Sequence, residues 1–171
     1  DRKTVMDLIE GIGQRIYPVG RLDWESEGLL IMTNDGELAN LLTHPRYGVP
    51  RTYHAIVKGD LTPVILEKLR KGVWLSEGKT GPIKVLVKKR EREFCVIEAT
   101  VREGMNREIR RVFARFGLKV SKLKRIKVGP LSLVTLAANC LFRVCRNVLT
   151  TDLSWPTYQN VIEQRAGRTG A

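Results

Sequence analysis

Apolar positions along the chain alternate between a period of two and a period near 3.6, with Gly, Pro or Asp at most of the changeovers. Thr4 can cap a short helix ending near Ile9. Tyr17 to Val19 reads as a brief strand running into a loop over Gly20 to Gly28, and Leu29 to Thr33 as a buried strand. Asp35-Gly36 predicts a turn, after which Leu38, Leu41 and Leu42 share one helical face up to the His44-Pro45 break. Thr52 to Val57 is a further strand. Thr62-Pro63 starts a helix with Val64, Ile65, Leu66 and Leu69 facing inward and Gly72 as a left-handed close. Ile83 to Lys89 and Phe94 to Val101 flank the charged turn Arg90 to Glu93 and alternate well enough to pair as an antiparallel hairpin. Asn106 to Phe116 places Ile109, Val112, Phe113 and Phe116 on one helical face and closes at Gly117, and Lys119 to Val128 returns as a strand.

Strands that mostly pair locally, with helices between them and no regular βαβ repeat, predict an α+β fold on a mixed, mainly antiparallel sheet. Gly11-Ile12-Gly13 has neither a third glycine nor a preceding strand, which disfavours a dinucleotide-binding fold. The 171 residues, 43% hydrophobic, suffice for one core with a tail and exclude compositional disorder.

Charge narrows the partner. Thirty Lys and Arg against eighteen Asp and Glu give +12, a field that attracts polyanions, nucleic acid above all. Beyond Val134 only Arg143, Arg146, Arg165 and Arg168 stand against Asp152 and Glu163, so the field belongs to residues 1 to 134. No apolar run of spanning length and no basic amphipathic terminal helix is present, and no membrane role is expected. Cys95, Cys140 and Cys145 lack nearby histidines, with His44 and His54 the only two, so neither a disulfide framework nor a metal site is expected. The start at Asp1, without a signal peptide, suggests a cytoplasmic protein whose upstream part is missing.

Three segments can carry chemistry. GRLDWESEGLLIMTNDGEL puts Arg21 and Asp23 in a loop between apolar strands, either as a solvated turn or as a carboxylate at the floor of a cleft. REGMNREIRRVFARFG crowds Arg107, Arg110, Arg111 and Arg115 on a helix, either as a solubilising face or as partners for phosphates or a buried carboxylate such as Asp23. RTYHAIVKG puts Tyr53 on a strand, where its ring packs against the protein or stacks on a flipped base.

Together and in this order, these segments resemble the pseudouridine synthases that modify ribosomal RNA. GRLDWESEGLL is similar to the family's catalytic motif, RTYHAIVKG to its tyrosine motif, and EGMNREIRRVF with LKRIKVGPLSL to its C-terminal motifs. The shared DGELAN, HPR and NREIRR patterns point to one branch of the family, in which type A modifies RNA of the small ribosomal particle and type B that of the large one. The chain is nearer type B, and the resemblance runs from Asp1 to about Leu133. It implies an α+β catalytic domain over residues 1–133 with a central cleft, and isomerisation of a uridine in ribosomal RNA without a cofactor. It implies that Asp23 is the catalytic aspartate, that Tyr53 stacks on the target uracil and assists its deprotonation, and that Arg110 pairs with Asp23, favouring the charged carboxylate. Arg21 would fill the gap left by the extruded uridine, and Leu29 and Ile31 would wall the pocket. Asn106, Arg107 and Arg111 would join the substrate contacts. Lys84, Lys88, Lys89, Arg90 and Arg92, with Lys122, Lys124, Arg125 and Lys127, read as a phosphate-tracking surface. The expected partner is ribosomal RNA, bound by a monomer.

Two departures stand out. Members of this branch usually carry a small RNA-binding domain upstream, and residues 134–171 match no expected close; their apolar Leu136, Leu141, Phe142, Val144 and Val148 suit a helix. A catalytically silent RNA-binding or ribosome-assembly protein, or a synthase acting on small-subunit RNA or tRNA, are the competing readings. The conjunction of Asp23, Tyr53 and Arg110 favours the enzyme, because a simple RNA-binding module has no use for an aspartate facing phosphates.

Overall fold

The computed structural model describes residues 4–9, 13–132 and 148–151. The first short strands are β1 (Tyr17–Pro18), β2 (Glu27–Gly28) and β3 (Leu30–Thr33), followed by helix α1 (Gly36–Thr43). Then come β4 (Arg51–Lys58), α2 (Pro63–Arg70), β5 (Trp74–Leu75), β6 (Gly78–Lys79), β7 (Lys84–Arg90) and β8 (Phe94–Val101). Helix α3 (Glu108–Ala114), β9 (Lys119–Val128), β10 (Leu131–Ser132) and β11 (Val148–Thr151) complete the order.

The main sheet runs β10-β9-β4-β8-β7 with antiparallel neighbours throughout, and β2 joins β9 in parallel. Strict alternation along β8 sends Cys95, Ile97, Ala99 and Val101 to one face, where Leu69 from α2 and Ile109, Val112 and Phe113 from α3 cover them. A second sheet, β1-β3-β11, buries Leu30 to Thr33 completely or nearly so. Between the two sheets, Leu29, Ile31, Leu42 and Val128 form a smaller apolar cluster.

The α+β architecture, the β7–β8 hairpin and the β9 bounds agree with the sequence reading. Thr62 caps α2 by accepting from Ile65 N (3.3 Å), and Gly72 turns left-handed at φ 79°. Asp35 is a helix cap rather than part of a free turn: its Oδ1 accepts from Glu37 N (2.9 Å) and Leu38 N (3.0 Å). Val64 is 63% exposed instead of inward, because α2 has one buried stripe, led by Leu69, and Val64 lies off it. Asn106 and Arg107 form a turn ahead of α3 with Arg107 left-handed, so the helix starts two residues later than its pattern suggests. In the tail, the helix expected over Leu136 to Val148 lies outside the described residues except at its last position. Val148 instead begins strand β11, which pairs antiparallel with β3.

Candidate active site

A cleft of about 740 Å³ opens between the two sheets, lined by the Val19–Asp23 loop, Ile31, Tyr53 and Arg125, and by the turn that leads into α3. Its geometry starts from glycine. Gly28 has φ 103°, and a Cβ there would lie 2.3 Å from Arg125 O, so only glycine lets β2 run this close to β9. That contact positions the loop carrying Asp23. Leu29 N donates to Arg125 O (2.8 Å), while Arg125 Nε donates to Leu29 O (2.8 Å) and its Nη1 to Arg21 O (3.2 Å). One guanidinium, only 4% exposed as a residue, thus ties both ends of the loop. Ser26 N donates to Asp23 O (2.9 Å) and rounds the tip.

The opposite wall is β4. Its pairing with β9 shifts register between Thr52 and Tyr53: Thr52 faces Lys127, but Tyr53 faces Arg125. The skipped Ile126 makes a bulge that sets the phenol and the guanidinium side by side on the cleft face. Below them Ile31, Val101, Ile109, Leu123 and Val128 give an apolar floor.

The third wall comes from α3. Arg107 Nη2 bonds Glu25 Oε2 at 2.5 Å, and Arg110 donates to Glu25 O (2.6 Å) and Val120 O (2.7 Å). The Arg107 hydrogen bond, then the charges of Arg107 and Arg110, hold the Glu25 carboxyl below its ordinary range. The expected Arg110–Asp23 pair is not formed: Arg110 Nη1 and Nη2 donate to two backbone carbonyls, and its Nε lies 3.6 Å from Glu25 Oε2. Arg107 is the arginine close enough to Asp23 for the carboxylate to reinforce its charged form.

Asp23, Tyr53, Arg21, Ile31, Asn106 and Arg107 therefore meet at one cleft, with Arg21 and Asn106 exposed at its rim. Four expected site residues do not line it, Arg110 among them. Leu29 is wholly buried in the apolar cluster behind the loop. Arg111 turns away to Glu77 and Ser76, with Nη1 2.6 Å from Glu77 Oε1; that contact, with help from Ser76, lowers the Glu77 carboxyl to about 2. Lys124 faces out from β9, which alternates with Leu123 and Arg125 pointing in. Arg125 reaches the cleft, but as a buried clamp instead of a phosphate-tracking surface group.

Residue patterning did not single out Glu108. This side chain is 6% exposed and lines the cleft near Glu103; burial first, then the Glu103 charge, pushes its carboxyl up from 4.5 to about 7. A carboxylate within an otherwise apolar helical stripe was the available signal. Among the described residues no group of three or more His, Cys, Asp or Glu side chains could hold a metal, and no helix is long and apolar enough to cross a membrane.

The architecture matches solved structures of the same type. A crystal structure of a pseudouridylate synthase superposes with TM-score 0.66 at 23% identity, covering 85% of this chain and 59% of the other. The fold is thus that of a pseudouridine synthase domain. Residues 9–115 match the RNA pseudouridylate synthase family. "Ribosomal large subunit pseudouridine synthase B" of Bacillus subtilis is 47% identical over 134 residues, 77% of this chain and 55% of that protein. "Ribosomal large subunit pseudouridine synthase E" of Xanthomonas campestris is 37% identical over 146 residues, 74% of this chain and 75% of that protein. The chain belongs to the RNA pseudouridylate synthase family. It spans about half the length of the Bacillus subtilis relative.

Proposed function

We propose that this chain isomerises a uridine of ribosomal large-subunit RNA to pseudouridine, acting as a monomer in the cytoplasm and without a cofactor. The observation that carries the reading is the cleft in which Asp23, on a loop clamped by Arg125, faces Tyr53 across an apolar floor. The large-subunit target draws on the relatives of the B and E types.

In the reaction the bond from uracil N1 to C1′ breaks, the base turns, and C5 bonds to C1′. N1 gains a proton and the C5 proton leaves to solvent, so atoms and electrons balance without a redox partner. Asp23 attacks C1′ or stabilises positive charge there, and Arg107 contributes a fixed positive charge beside it. Tyr53 stacks on the uracil against the floor that includes Ile31, and an apolar site strengthens each of these electrostatic contacts. Arg21, exposed at the rim, fills the space vacated in the RNA and offsets part of an unstacking cost of a few kcal/mol. Asn106 borders the same entrance. Trp24, 91% exposed and next to Asp23, adds an aromatic face for flanking bases.

The test is to incubate the chain separately with unmodified large-subunit and small-subunit RNA and to map pseudouridine by carbodiimide adducts that stop reverse transcription. One new stop in large-subunit RNA alone is expected. A stop only in small-subunit RNA would move the target, and binding without any stop would favour the silent RNA-binding reading.

A further inference from the structure

Away from the cleft, the end of α2, strand β5 and the end of α3 enclose a shallow depression of about 310 Å³ lined by Lys68, Lys71, Trp74, Arg115 and Phe116. Trp74 is 65% exposed. Lys68 Nζ lies 5.9 Å from the centre of the Phe116 ring. Among the described residues no carboxylate forms an ion pair with Lys68, Lys71 or Arg115; Glu67 is engaged by Arg70, and Glu77 by Arg111.

An open indole among three unneutralised cations is complementary to a base flanked by phosphates. A second copy of this chain would instead bring further positive charge to a +12 molecule. Helix α3 links the depression to the cleft, with Arg107 before its first turn lining one and Arg115 after its last lining the other. Eight residues at about 1.5 Å rise each separate them by roughly 12 Å, a distance that two nucleotides of an extended strand cover.

We propose that this depression is a second RNA contact, where an unpaired base of the substrate RNA stacks on Trp74 while its phosphates meet Lys68, Lys71 and Arg115. The proposal rests on the RNA reading above and extends its footprint beyond the catalytic cleft.

The test uses the full chain with large-subunit RNA labelled with tritium at uridine C5, and compares wild type with Trp74→Ala and with Lys71→Ala/Arg115→Ala. All three side chains are exposed, so the variants keep the fold. Filter binding is expected to show about tenfold weaker affinity for Trp74→Ala, and for the double variant a salt dependence shallower by about two counterions. Tritium release is expected to show a higher KM with kcat unchanged. Wild-type affinity and salt slope in both variants would overturn the proposal, and so would self-association of wild type that Trp74→Ala abolishes while RNA binding stays intact. If wild type binds RNA but releases no tritium, the isomerase reading fails while the binding arm still decides this surface.

Discussion

Arg125 donates to Leu29 O and Arg21 O, so truncating it strands two backbone carbonyls beneath the Asp23 loop and empties a buried site. Arg125→Ala is expected to lower stability by about 2–4 kcal/mol, read by urea unfolding, and to depress turnover more than the affinity for RNA. Arg125→Lys should recover little, since an ammonium cannot reproduce the planar fork. Near-wild-type stability of either variant would contradict the clamp. Glu108 yields a pH prediction. Its folded value near 7 lies above the ordinary 4.5, so the native state binds the proton more tightly. Its contribution is therefore complete below the unfolded value and is lost as pH rises through 7. Stability is expected to fall across that window by at most about 1.4 kcal/mol per pH unit from this group. Glu108→Gln should flatten the slope in thermal melts, and an unchanged slope would assign it to other groups. Asp23, Tyr53 and Arg107 could be found from their motifs, since each is a polar or aromatic group in a short, distinctive segment. The identity of the arginine beside Asp23 could not, because Arg107 and Arg110 differ only in a left-handed turn that the chain makes before α3.

Among the elements, those governed by near neighbours were readable and those governed by distant backbone were not. The Thr62 cap, the Gly72 close and the β7–β8 alternation depend on residues a few positions apart. Strand β2 exists only through its parallel pairing with β9, about a hundred positions away, and two residues carry no periodicity. The β5–β6 hairpin is equally short and is tied to α3 by the Arg111–Glu77 contact. Gly28 is where the β2 pairing can be tested. Gly28→Ala forces a Cβ towards Arg125 O at a φ that L residues avoid, and a loss of about 1–3 kcal/mol is expected from the backbone conformation alone. Because the same contact places Asp23, turnover should fall by more than the loss of folded protein explains. A variant with wild-type stability and activity would show that β2 does not need this approach.

At the scale of the whole molecule, the +12 charge favours a polyanion partner but does not say which cations would meet it. The structure engages part of the expected surface: Lys88 pairs with Glu98 (3.2 Å), Lys89 with Glu91 (2.7 Å), and Arg90 Nη1 donates to Leu61 O (2.8 Å). Lys122 and Lys127 on β9 are exposed, and among the described residues no carboxylate forms an ion pair with either. Lys122→Ala/Lys127→Ala is expected to weaken binding to structured ribosomal RNA at low salt and to reduce the slope of log K against log salt by about two, with unchanged unfolding. An unchanged slope would remove β9 from the RNA face. The central claim, that Asp23 in this cleft breaks and remakes the glycosidic bond, is tested most directly by tritium release from C5-labelled large-subunit RNA with wild type beside Asp23→Asn. Release by wild type, none by Asp23→Asn, and similar RNA binding by both is the expected result; release by Asp23→Asn at the wild-type rate would contradict it.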